Sequence, residues 1–180
     1  MCIFYRITYI YYTEEYIQNR AFQLFILTII IPLLIFRVLK KLNYASNLML
    51  EKIKERRLPY LIAVLLNLYI TKFVFAESYD VGLHYFFAGI SFTSISFLIL
   101  SYLNFKASLH AAAISGLTMF YIGLSIHFQI NLIFGIGLMI LINGLIATSR
   151  LHLKAHTPIE LIIGFLLGFL PQIMMTIYWI

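Results

Sequence analysis

The sequence predicts an all-α fold, a polytopic transmembrane helical bundle of about six spans, and three observations carry that expectation. Of its 180 residues, 62% are hydrophobic and 11% charged, whereas soluble domains run near half apolar and a quarter charged. Mean hydropathy is +0.94. The net charge of +6 is concentrated in a few short stretches between long apolar runs, as expected of loops joining membrane-crossing helices. One span takes roughly 20 apolar residues, so the chain supplies about six and leaves little for a second domain.

Residues 1–20 are mixed in charge and rich in tyrosine (Tyr5, Tyr9, Tyr11, Tyr12, Tyr16). Tyrosine favours the membrane interface, where ring and hydroxyl are both satisfied, so this segment reads as an interfacial lead-in to a single transmembrane domain over 21–180. The first span is expected over 21–36, closed by Arg37, Lys40 and Lys41. The second is expected over 58–76, with Lys72 placed to snorkel and 77–80 as the turn. A third runs over 81–105 and ends at Lys106. No Asp, Glu, Lys or Arg occurs from Ala107 to Ser149, a stretch too long for one crossing. It therefore folds as two helices, turning at its most polar point, 127–131. The sixth span is 158–180.

Counting crossings puts loops 37–57, 104–108 and 149–157 on one side of the membrane. They hold ten of the thirteen Lys and Arg residues (Arg37, Lys40, Lys41, Lys52, Lys54, Arg56, Arg57, Lys106, Arg150 and Lys154). By the positive-inside rule that side is cytoplasmic, and a bacterial inner membrane is the expected location. The basic loops suit anionic headgroups or phosphate rather than nucleic acid, since no basic-aromatic groove or reader motif accompanies them. Cys2, the single cysteine, permits neither an intrachain disulfide nor a cysteine-rich metal site. Residues 1–6 lack the pattern of a signal peptide, so the spans themselves are expected to direct insertion.

Chemistry gathers on three stretches. Before the last span the chain reads Ser149-Arg150-Leu151-His152-Leu153-Lys154-Ala155-His156-Thr157-Pro158-Ile159-Glu160. An Arg, a His six residues on and a carboxylate four beyond resembles the third motif of the type 2 phosphatidic-acid phosphatase and vanadium haloperoxidase superfamily. Gly164 and Gly168 match the small-residue run that follows it. Ala107-Ser108-Leu109-His110 resembles the family's Pro-Ser-Gly-His motif in its serine and histidine, with Ala and Leu where the family has Pro and Gly. Lys52-Ile53-Lys54-Glu55-Arg56-Arg57-Leu58-Pro59 offers the residue types of the first motif, a Lys followed by Arg-Pro, at altered spacing.

The resemblance implies a phosphatase-like domain acting on a membrane lipid phosphate: phosphatidic acid, phosphatidylglycerol phosphate or a polyprenyl pyrophosphate. It implies that His156 attacks phosphorus and forms a phosphohistidine, that Glu160 stands in the family's Asp position and orients it, and that His110 protonates the leaving group. Arg150, Arg57, Arg56, Lys52 and Ser108 would bind phosphate. The mechanism requires no metal or other cofactor. Independently of the name, the crossing count places all eight residues on one membrane face. Arginine suits bidentate phosphate contacts, and ionisable groups near membrane depth are costly unless paired or exposed to an aqueous pocket.

Plainer roles compete. Thr157-Pro158-Ile159-Glu160 is a capping box, which would make Glu160 a helix cap. Ser108 suits the N-cap of the fourth helix, and the 52–57 cations suit a headgroup-binding loop. His84, His127 and His152 show no partner pattern, and the glycine pair suits close helix packing. Two further functions stand beside hydrolysis: a relative without turnover that binds or transports lipid phosphates, and a metal or haem protein using His152 and His156. Pro158 as helix start argues against the latter, because it places His156 ahead of the helix.

Overall fold

The computed structural model describes Phe4, residues 13–42, Tyr44, 53–75 and 81–180. Six helices among them are long and apolar enough to cross a membrane: α1 Glu14–Lys41, α2 Ile53–Val74, α3 Val81–Tyr102, α4 Leu109–His127, α5 Ile133–His152 and α6 Pro158–Thr176. The chain is thus an all-α, multi-pass integral membrane protein. The turn expected at 77–80 and most of the N-terminal lead-in lie outside the described residues.

The first helix begins at Glu14 rather than at residue 21. Thr13 supplies the reason: its Oγ1 accepts a hydrogen bond from Tyr16 N at 3.3 Å, and Glu14 and Glu15 follow in the first turn. A hydroxyl cap and early carboxylates both stabilise a helix N-terminus, so residues 14–20 are drawn into the helix. Both α1 and α2 contain a π-helical turn, Ile26–Ile30 and Ile70–Val74.

The connections come from the ends of α3, α4 and α5, which terminate alike. Asn104, Gln129 and Lys154 take the left-handed conformation, with φ of 59°, 52° and 50°. Each is followed by an amide that reaches back five residues: Phe105 N to Leu100 O at 2.9 Å, Ile130 N to Ser125 O at 3.1 Å and Ala155 N to Arg150 O at 3.1 Å. These are Schellman closures, which satisfy the last helix carbonyls. The turn expected at 127–131 falls where the sequence places it.

The most extensive packing joins α4 to α6, followed by α2 to α3, α3 to α6 and α4 to α5. Within the bundle α6 lies between α3 and α4, and Gly164 and Gly168 set its contact with α4. A Cβ on Gly164 would stand 2.5 Å from Ser108 O, and one on Gly168 would run into Ala112 O and Ser115 Oγ. Small residues that let backbones approach are the usual basis of helix association in lipid. Hydrogen bonds across helices complete it: Asn67 Nδ2 to Ser94 Oγ at 3.0 Å, Ser115 Oγ to Phe165 O at 2.9 Å, and Asn143 Nδ2 to Thr118 Oγ1 at 2.8 Å. Thr93 Oγ1 donates to Leu167 O at 2.8 Å. Leu167 lies four residues before Pro171, so this hydroxyl meets the carbonyl that the proline leaves without its helical partner.

Two apolar clusters occupy opposite ends. One gathers Phe4, Phe75, Phe87, Phe120, Leu124 and Trp179. The other, of Phe97, Ala107 and Ala112 flanked by Tyr60, Phe105 and Ile163, lies at the end where α2, α4 and α6 begin. His84, bonded to Phe75 O at 2.6 Å, and His127, whose ring lies 5.2 Å from that of Trp179 at a tilt of 57°, belong to the first end, far from the motif residues.

Candidate active site

At the second end, the loop after α3 is tied to the loop before α6. Ser108 N donates to Glu160 O at 3.0 Å, and Lys106 Nζ donates to Ala155 O at 3.1 Å. Gly164 is what permits the first bond, because any side chain there would strike Ser108 O. His156 lies between these ties. Its side chain is 8% exposed, and its Nδ1 lies 3.1 Å from Glu160 Oε2 and 3.2 Å from Lys106 O.

Both neighbours of Nδ1 are acceptors only, a carboxylate and a carbonyl. Nδ1 therefore carries the proton and shares it between them, which leaves the lone pair of neutral imidazole on Nε2. Glu160 Oε2 also accepts from Thr157 N at 3.0 Å, and Thr157 Oγ1 accepts from Glu160 N at 3.3 Å, a complete capping box. Capping and orientation thus fall on the same carboxylate oxygen. Burial pushes the His156 imidazole below its ordinary range. The Glu160 hydrogen bond and charge act upward against it, and the Lys106 charge acts downward.

His110 occupies the first turn of α4 and is exposed. Arg150, His156 and Arg56 all lie close enough to act electrostatically on it. These four residues come from α4, the last turn of α5, the loop before α6 and the first turn of α2, so the fold brings together one end of four segments. Arg56 also engages the Tyr60 hydroxyl. Arg150 Nε is buried and is, among the described residues, the buried side-chain donor that has no hydrogen-bond partner. An unsatisfied buried donor on a cation is costly, and phosphate, like carboxylate, offers oxygens that match a guanidinium.

Other expected residues are placed elsewhere. Arg57 turns to the end of α3, with Nε donating to Ser101 O at 3.4 Å, a contact to Asn104 Oδ1 at 3.5 Å and its guanidinium 4.6 Å from the Tyr102 ring centroid. A cation there complements the α3 C-terminus. Ser108 is fully buried, and its Oγ accepts from Ala111 N at 3.4 Å, so its hydroxyl caps α4. Lys52 lies outside the described residues. His152 closes α5, and the left-handed turn at Lys154 separates it from His156, so the two share no helix face. Lys106 was not among the expected site residues. Its signal in the sequence is that it is the single Lys or Arg between Lys72 and Arg150, two residues ahead of Ser108.

No protein-family model, curated protein or solved structure matches the chain.

Proposed function

We propose that this chain is a metal-independent lipid-phosphate phosphatase of the type 2 phosphatidic-acid phosphatase kind, working in a bacterial inner membrane. The observation that carries the reading is the pair of acceptors at His156 Nδ1, which leaves the Nε2 lone pair to act as a nucleophile; the charges of Arg150, Arg56 and His156 all reach His110, the second group that the reading calls on. In the proposed first step the Nε2 lone pair attacks phosphorus and the bond to the leaving oxygen breaks. Protonated His110 gives that oxygen its proton, while Arg150 and Arg56 take up charge on the phosphoryl oxygens. In the second step water attacks phosphorus and gives its proton to His110. The P–N bond breaks and inorganic phosphate departs. Glu160 and Lys106 O hold the imidazole in the required tautomer throughout, the role of the orienting group in a catalytic triad.

The test is phosphate release by purified protein in detergent with chelator present, from phosphatidic acid, phosphatidylglycerol phosphate and a polyprenyl pyrophosphate. Wild type is expected to turn over at least one of them. His156→Ala is expected to abolish release, and His110→Ala to slow it by about 10²–10⁴-fold, the usual contribution of a positioned general acid. Wild type as inert as His156→Ala on all three would end the reading.

A second reading, a protein that binds or transports lipid phosphates without hydrolysing them, has specific support. Arg57 is engaged at the end of α3 and the Ser108 hydroxyl is buried in a cap, which leaves fewer phosphate ligands than the motifs suggest. Saturable binding of a lipid phosphate without release would favour it.

A further inference from the structure

Between α1 and α2 runs a groove of about 440 Å³, with Thr28, Pro32 and Leu39 on one wall and Pro59, Ala63 and Leu66 on the other. Thr28 is the sole polar side chain along it, and its hydroxyl is turned back onto Leu24 O at 2.6 Å. The lining is thus almost wholly apolar, with the Thr28 proton already engaged, and suits hydrocarbon better than water. The length is informative. From Thr28 to Leu39, at 1.5 Å per residue, is about 16 Å, close to half of a hydrocarbon core about 30 Å thick. The α1 wall is therefore about as long as one leaflet is deep, and the α2 wall, Pro59 to Leu66, covers about 10 Å of it.

Its polarity is equally specific. The Leu39 and Pro59 end lies at the face that carries His110 and His156, and cations flank that end. Arg37, Lys40 and Lys41 close α1 and are exposed, and Arg56 lies one turn before Pro59. The opposite end stops midway along α1 at the π-helical turn Ile26–Ile30, an irregularity that often marks functional segments. An apolar slot whose α1 wall is about one leaflet long, with cations at its mouth, matches a single acyl chain beneath an anionic headgroup.

We propose that the α1–α2 groove holds one acyl chain of an anionic phospholipid from the leaflet on the active-site side, with Arg56 passing its phosphate toward His110. The destination of the headgroup rests on the phosphatase reading; the seating of the chain does not. A lipid held this way reaches the site sideways from the leaflet.

The experiment uses the full chain in phosphatidylcholine vesicles containing phosphatidic acid with a mid-chain diazirine. Irradiation and peptide mass spectrometry then map the attached lipid. Label is expected on 28–39 and 59–66 at several-fold the density on the outward face of α5. Filling the groove by Ala63→Trp, or from its exposed edge by Leu33→Trp, is expected to lower that label several-fold at unchanged Tm. Equal labelling of α5, label unmoved by both variants, or equal labelling by diazirine phosphatidylcholine would each overturn the proposal. Phosphate release without groove labelling would remove the groove and spare the phosphatase. Groove labelling without release from phosphatidic acid, phosphatidylglycerol phosphate or a polyprenyl pyrophosphate would do the reverse.

Discussion

At the scale of single residues, the oxygen shared by Thr157 N and His156 Nδ1 governs the chemistry. In the proposed reaction only neutral His156 attacks, so the acid limb of kcat/KM follows its protonation. Burial lowers this pKa, and the limb is therefore expected below the ordinary imidazole value of about 6.5. Two substitutions move it in opposite directions. Lys106→Met removes a charge that lowers the pKa, so the limb shifts to higher pH. Glu160→Gln removes a charge that raises it, so the limb shifts to lower pH. Lys106 O still selects the tautomer in Glu160→Gln, and the accompanying rate loss is expected to stay well under the roughly 10⁴-fold seen when an orienting carboxylate acts alone. Rate–pH profiles of the three proteins check both signs, and two limbs moving the same way would refute the assignment of His156.

At the scale of elements, the closeness of α4 and α6 builds the site. Gly164→Ala places a methyl 2.5 Å from Ser108 O and pushes apart the two helix starts that hold Lys106 O against His156. It is expected to cost about 1–3 kcal/mol, the usual range for overpacking a close contact, and to lower phosphate release in parallel; thermal unfolding in detergent together with the assay measures both. The glycine stripe was legible because 164 and 168 follow Glu160 at intervals of four. The capping box and the start of α6 at Pro158 were legible for the same local reason. The early start of α1 was not, because the tyrosines of 1–20 suit an interface as well as a helix and the deciding feature is one hydroxyl, Thr13. Arg57 escaped sequence reasoning too: whether it or Arg56 turns toward His110 depends on where α3 ends, which a tertiary contact with Asn104 and Tyr102 fixes.

At the scale of the whole molecule, alternating crossings put the starts of α2, α4 and α6 and the ends of α3 and α5 at one face. This was readable from the distribution of apolar runs and cations alone. The convergence of His110 with Arg150 and His156 was readable only as a shared face, since lateral proximity comes from helix packing that no spacing rule encodes. In a Cys2→Ser background, Lys54→Cys and Lys154→Cys are expected to react with an impermeant thiol reagent from one and the same side of sealed vesicles, and Gln129→Cys from the other side. Reaction of the Lys54 and Lys154 positions from opposite sides would break the crossing count. The most direct test is chemical: rapid alkaline quenching of wild type during turnover of a ³²P-labelled lipid phosphate, followed by peptide mapping. An acid-labile, alkali-stable phosphoryl group is expected on His156. Phosphate released at full rate with His156 unlabelled and some other residue phosphorylated would contradict it.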